Sequence, residues 1–284
     1  MERRETMTGE ASHVRASHAG PSLRDIGPFP PEGLFCGASR SEAAFGGAAG
    51  MAQCPACTPS ELERIRDLIK THLLAHARAL SGTTADAIAD LPIDHYHHAV
   101  TDEEHAHLLS KRNRILSAEA VADIKQMSMF DYLRRAFGPC YLSDEENIGR
   151  EQICFRVARP NCRADVGFVH RDAWFWDHLG FPVPPGIART KLWMPICLSP
   201  GTAGLLLAPG SHRSDNEYRV EKIDGKLAFV PRNDVEAGGM HAYMGRPGDA
   251  ILFNYDLLHV GAVTRGDSCR VSIEITLMYD TQHA

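Results

Sequence analysis

Arg270-Val271-Ser272-Ile273-Glu274-Ile275-Thr276-Leu277 alternates without a break between polar and apolar side chains. Period-2 alternation of this length is a β-strand with two different environments on its faces. The polar face carries Arg, Ser, Glu and Thr, yet it falls inside a stretch whose other strands are strongly apolar. That combination predicts a strand lining a wet cavity. Upstream, Gln152-Ile153-Cys154-Phe155-Arg156-Val157 also alternates, Lys191-Leu192-Trp193-Met194-Pro195-Ile196 is aromatic and branched, and Gly204-Leu205-Leu206-Leu207 is a short apolar run. Pro182 to Gly186, Pro200-Gly201, Pro209-Gly210 and Pro247-Gly248 punctuate them as turns would. Residues 148–280 therefore read as a β-sandwich or jelly roll.

Residues 58–138 read differently. Thr58-Pro59-Ser60-Glu61 combines an N-cap threonine, a proline at the first helical position and a glutamate three past the cap. Leu62, Ile65, Leu68, Ile69, Leu73 and Leu80 then share one helical face, and Gly82 stands where a C-cap glycine is expected. Thr101 with Glu104, and Ser128 with Asp131, repeat the cap pattern, the last helix ending at Gly138. Half of residues 1–50 are Gly, Pro, Ala or Ser without apolar periodicity, so they are expected to form a disordered, dispensable tail. The expected organisation is one domain over 51–284, α+β but mainly β, with a helical first third packed on a jelly roll.

The 284 residues, 44% hydrophobic, suffice for a sizeable core. A net charge of −6 offers no basic excess for phosphates, which argues against nucleic acid as a partner. No run is long and apolar enough for a membrane span or a signal peptide, so a cytoplasmic protein is expected. The eight cysteines are scattered and read as reduced thiols. Cys54-Pro55-Ala56-Cys57 has no second ligand pair nearby and is not read as a zinc site.

The chemistry centres on Gly167-Phe168-Val169-His170-Arg171-Asp172, read as a short strand whose alternation puts His170 and Asp172 on one face. With a second imidazole they form a two-histidine, one-carboxylate triad, which leaves three adjacent positions open on iron(II) for a chelating cosubstrate and dioxygen. His259 follows the strand Asp249-Ala250-Ile251-Leu252-Phe253-Asn254, and Arg270 lies eleven residues beyond it, the spacing of a strand, a turn and a return strand. A guanidinium there can hold the far carboxylate of a 2-oxo dicarboxylate bidentately, with Ser272 adding a hydroxyl donor.

His170-Arg171-Asp172, Leu207-Ala208-Pro209-Gly210-Ser211-His212, Gly248 to Phe253, His259 and Arg270-Val271-Ser272 together resemble the phytanoyl-CoA dioxygenase (PhyH-like) family of iron(II)/2-oxoglutarate oxygenases over roughly 150–275. The resemblance implies a double-stranded β-helix (jelly-roll, cupin-like) core, with iron(II), 2-oxoglutarate and O2 as the reacting set and succinate and carbon dioxide as coproducts. It implies His170, Asp172 and His259 as iron ligands and Arg270 as the 2-oxoglutarate anchor. Trp193 matches an aromatic position beside the cosubstrate, and Arg156 or Arg159 a carboxylate-holding residue. Because Asp172 is present, hydroxylation or desaturation is expected and chlorination is not.

Trp174, Phe175 and Trp176 either stack on substrate or fill the core. The histidines between His95 and His107 read as solvated residues, and His212 as a turn-fixing one. Arg156, Arg159, Arg163 and Arg171, placed near the expected mouth, favour a small polar metabolite as substrate, with acidic ones among the candidates. A non-redox cupin-like barrel, either a metal-dependent isomerase or a small-molecule binding protein, is the alternative from another class, and an oxygenase of peptide side chains is a third. Arg270 discriminates against the non-redox barrel, which has no need of a 2-oxoglutarate anchor.

Overall fold

The computed structural model describes residues 49–281 apart from 55–56, 182, 224–225 and 234–238. The expected tail lies outside the described residues except at its end. There Gly50 O accepts from Asn254 N, and a strand not anticipated from the sequence, β1 (Met51–Cys54), begins.

The helical third holds α1 (Pro59–Leu80), α2 (Gly82–Ala89), a 3-10 segment (Ile93–Ala99), α3 (Asp102–Leu108), α4 (Ala118–Lys125) and α5 (Ser128–Phe137). Thr58 with Glu61 and Thr101 with Glu104 form complete capping boxes. Two expectations are corrected. Gly82 does not close α1: Ser81, in extended conformation, ends it and caps α2 through its side chain, so Gly82 is the first residue of the next helix. Ser128 does not cap α5: it is that helix's first residue, behind Met127, and its amide and hydroxyl donate to Glu61 at 2.6 and 2.8 Å. One carboxylate thus serves two helix starts: burial works against its charge, but hydrogen bonds from the amides and hydroxyls of both Ser128 and Thr58 more than offset it and lower its pKa to about 2. Ile65, Ile69 and Leu73 of α1 are fully buried, each worth about 1.5–3 kcal/mol of transfer free energy. Leu80, the last residue of the helix, is 40% exposed.

The β region comprises β2 (Cys140–Leu142), β3 (Cys154–Ala158), β4 (Ile187–Cys197), β5 (Leu205–Leu207), β6 (Tyr218–Ile223), β7 (Lys226–Pro231), β8 (His241–Tyr243), β9 (Ala250–Asn254), β10 (His259–Gly261) and β11 (Arg270–Asp280). The major sheet runs β1-β9-β4-β11, and β3 and β2 share the far side of β11, pairing with residues 270–274 and 277–279. The minor sheet runs β10-β5-β8, extended by an antiparallel bridge between His170 and His259.

Alternation divides each sheet into two faces. On the major sheet, Leu192, Met194 and Ile196 of β4 and Val271, Ile273, Ile275 and Leu277 of β11 join Ile65, Ile69 and Leu73 in one core beneath the helices. Arg270, Ser272, Glu274 and Thr276 face the other way, toward the minor sheet, as do Lys191 and Trp193, which pair with Thr276 and Glu274. On the minor sheet, Leu205, Leu207 and Tyr243 meet Trp193, Ile251 and Phe253 across the interior. Leu206 and Val260 point outward into a separate cluster with Trp174 and Phe229, covered by the β6–β7 hairpin.

Candidate metal centre and cosubstrate site

His170 and His259 exchange both backbone hydrogen bonds at 3.0 Å, an antiparallel pair that puts their side chains side by side. Their ring centroids are 4.4 Å apart. Asp172 reaches the same face by a route that corrects the expected strand. Arg171 is extended and is the N-cap of α6 (Asp172–Leu179), and Asp172 is that helix's first residue. Alternation survives through Arg171, but the chain then coils, because Ala173 N turns to Tyr255 O at 3.2 Å and leaves no ladder to extend.

His170 Nδ1–H donates to Phe168 O at 2.7 Å and His259 Nδ1–H to Leu257 O at 2.9 Å. A carbonyl can only accept, so each ring in its neutral form carries its proton on Nδ1 and leaves Nε2 free to ligate. Nε2 of His170 lies 3.8 Å from Asp172 Oδ1, and Nε2 of His259 lies 3.6 Å from Asp172 Oδ2. Among the described residues these three form the one His/Cys/Asp/Glu group with all its ligand atoms within 4.8 Å of one another. Burial, then the adjacent His259, pushes the His170 pKa down to about 4. Burial works against the charge on Asp172, but Lys191, His259 and His170 outweigh it and hold its pKa below the ordinary value.

Lys191 is a site residue that sequence reading missed. Its Nζ stands 3.8 Å from Asp172 Oδ2, 3.4 Å from Glu145 Oε1 and 2.8 Å from Thr276 Oγ1, which in turn donates to Glu145. A lysine and an arginine two positions apart in the mainly apolar strand 187–197 were the available signal, blurred by Thr190 between them.

Arg270 is 5% exposed, with its guanidinium beneath the minor sheet. Nη1 donates to Gly204 O at 2.7 Å, and the guanidinium carbon is 5.9 Å from the centre of the Trp193 ring. A Cβ at Gly261 would come within 2.9 Å of Nη2, so glycine there gives the guanidinium its room. No carboxylate pairs with it among the described residues, Nε is unpartnered, and the fully buried Ser272 Oγ is unpartnered too. Burial pushes its pKa down to about 10, which leaves it charged at neutral pH. Gly261 lies two residues beyond His259, one pleat or about 7 Å along β10. That separation matches a five-carbon diacid held at one end by the histidine-carboxylate cluster and at the other by Arg270. These orphaned donors therefore fit 2-oxoglutarate, as the two imidazoles and the carboxylate fit iron(II).

Of the remaining expected site residues, Arg156 stays beside the cavity, close enough to act on the charges of His170 and Asp172, and the others are placed elsewhere. Arg156 is half-exposed on β3 opposite Ser272, with Nε donating to Glu274 at 3.0 Å. Trp174 is buried on the outer side of the minor sheet, stacked on Tyr218 with centroids 5.2 Å apart; helical geometry instead turns Phe175 edge-on to His170. Arg159 pairs with Asp165 and Asp102, and Arg163 donates to the carbonyls of Val166 and Gly167. Arg171 is buried and donates to the carbonyls of Ser211 and Ser214. These three guanidinium groups hold the scaffold, and the structure does not bring them to the cavity.

The jelly roll, its histidine-aspartate-histidine cluster and the buried arginine define a non-heme iron(II)/2-oxoglutarate-dependent oxygenase. Residues 50–272 match the family model described as Phytanoyl-CoA dioxygenase (PhyH), and the chain belongs to that family. Among solved structures, it resembles the apo form of ThoJ, a non-heme monooxygenase, with a TM-score of 0.51 and 15% identity over 82% of this chain and 77% of that one. It also matches EctD from S. alaskensis with 2-oxoglutarate and 5-hydroxyectoine, with a TM-score of 0.46 and 18% identity over 95% of this chain and 86% of that one. No curated protein matches its sequence. No helix among the described residues is long and apolar enough to cross a membrane.

Proposed function

We propose that the protein hydroxylates a small polar metabolite, with His170, Asp172 and His259 as the iron ligands and Arg270 and Ser272 as the binding groups for the 2-oxoglutarate far carboxylate. The observation that carries this reading is the buried, carboxylate-free guanidinium one pleat from a ligand histidine. Bound there, iron(II) with 2-oxoglutarate and dioxygen supplies oxidative decarboxylation to succinate and carbon dioxide, coupled to oxygen insertion into a carbon–hydrogen bond.

The chain's own residues do the positioning. The carbonyls of Phe168 and Leu257 hold both imidazoles in the ligating tautomer. Lys191 keeps Asp172 ionised at neutral pH, so the third ligand is ready without losing a proton. Arg270 orients the cosubstrate from its distal end, Ser272 adds a donor, and Trp193 walls that end of the cavity against Leu205, Leu207 and Tyr243, excluding water.

Anaerobic addition of iron(II) and 2-oxoglutarate tests the reading. The weak visible charge-transfer band of the chelate is expected in the wild type and absent in His170→Ala. A folded, metal-loaded wild type without the band would instead favour a non-redox barrel. Substrate-dependent oxygen uptake should then favour polar metabolites over fatty acyl thioesters, and the reverse preference would overturn the substrate class.

A further inference from the structure

Arg189 occupies the opposite end of the row that begins at Arg270. On β4, Arg189, Lys191 and Trp193 share the interior face; Trp193 neighbours Arg270, Lys191 neighbours Asp172, and Arg189 lies one pleat further, about 7 Å along the strand. Its guanidinium is sandwiched between Trp176, with the ring centre 4.0 Å away, and Tyr255, at 4.2 Å. Trp176 stands one helical turn beyond Asp172 on α6, and Tyr255 O accepts from Ala173 N in the same helix. The residue is 3% exposed, yet Nε and Nη1 have no hydrogen-bond partner. Asp256 is near enough to feel its charge, but the ion-pair contact of Asp256, at 3.9 Å, is to Arg171.

A guanidinium flattened between two rings is stabilised on its faces and offers only its edge. The N–H donors lie in the guanidinium plane, Nε and Nη1 on different edges of it, and a planar carboxylate is a natural acceptor for either edge. We propose that Arg189 binds a carboxylate of the organic substrate, so that the cavity holds one carboxylate at each end, that of 2-oxoglutarate on Arg270 and that of the substrate on Arg189, with the oxidised carbon between them beside the metal. This rests on the oxygenase reading of the same cavity, and it limits the substrate to a small acid oxidised a few bonds from its carboxylate.

The probes are butyrate and benzoate against butyramide and benzamide. They are titrated into protein loaded with manganese(II) and saturating 2-oxoglutarate, so that Arg270 is already occupied, and read by intrinsic fluorescence, which Trp176 reports. Both acids are expected to bind at least tenfold tighter than their amides. Arg189→Gln should abolish that preference, and Arg189→Lys, which keeps the charge, should restore part of it. Equal binding of acids and amides by the wild type, no binding of either, or a preference that survives in Arg189→Gln would overturn the proposal. Calorimetric binding of 2-oxoglutarate to the manganese(II) protein, measured separately, reports on the oxygenase reading: its absence sinks that reading, whereas its presence beside a failed acid preference sinks only the role of Arg189.

Discussion

Lys191 Nζ and Asp172 Oδ2 are 3.8 Å apart, so an ammonium buried on β4 faces the carboxylate that completes the triad. Asp172, Glu145 and Glu274 together overcome the burial that disfavours the lysine's charge and raise its pKa. Removing one partner of such a buried group strands the others and costs about 3–5 kcal/mol. Lys191→Met should therefore lower the melting temperature of the metal-free protein. Manganese(II) should recover a larger part of that loss than the stabilisation it gives the wild type, because the ion neutralises the same carboxylate. Thermal melts with and without metal check both halves.

Arg270→Gln should leave metal binding within about twofold while weakening 2-oxoglutarate by one to two orders of magnitude, the worth of a charge-assisted hydrogen bond at about 1.5–3 kcal/mol. Gly261→Ala should reproduce part of this with the arginine itself unsubstituted, because the added methyl would crowd Nη2 at 2.9 Å and displace the guanidinium. Calorimetry of metal and cosubstrate separately makes the distinction. Equal losses of both would show a disturbed fold instead.

The metal-free protein should lose stability early on acidification. His170 remains neutral in the folded state down to about pH 4, whereas in the unfolded chain it takes up a proton below about 6.5. Between those values the unfolded state binds more protons, so stability falls as pH falls, by at most about 3 kcal/mol. Glu274, whose pKa is lowered to about 2 because Arg156, Lys191 and Arg114 more than offset its burial, adds a second loss as pH drops below about 4.5. Urea denaturation across pH 3–8 should show both segments, and His170→Asn should make the upper one shallower, the rest of it belonging to His72, His76, His97 and His212, whose pKa values burial also lowers.

Arg171 stands between His170 and Asp172 in sequence but ties the Ser211 and Ser214 carbonyls in space. Arg171→Leu should cost about 3 kcal/mol through those lost charge-assisted bonds. Substrate KM in the remaining folded enzyme should be unchanged. A raised KM with wild-type stability would assign Arg171 to the substrate instead.

The parts of this protein legible in its sequence were those governed by strict alternation. The strand over 270–277 was read with its two faces correctly sorted because a buried sheet penalises any slip of one residue. His170 and Asp172 were placed on a shared face for a related reason, although the second of them belongs to a helix: one extended residue between them is enough. What stayed illegible depended on partners distant in sequence. Glu61 caps a helix that begins 67 residues later, and Arg159 pairs with Asp102, 57 residues upstream on α3, instead of standing at the cavity mouth. Trp174 could not be separated from Trp176 without knowing that both lie on a helix, where two residues of separation turn one ring into the outer core and the other toward Arg189.

Both imidazoles are locked by main-chain carbonyls and stand beside an ionised carboxylate. Such a cluster is ready for a divalent cation of suitable size, and nitrogen and oxygen donors bind nickel, copper and zinc at least as avidly as ferrous iron. Discrimination then falls outside the polypeptide, to whichever ion the surroundings supply in excess. Material purified in ordinary buffers should consequently carry a mixture of metals, and its specific activity should track the ferrous fraction of that mixture.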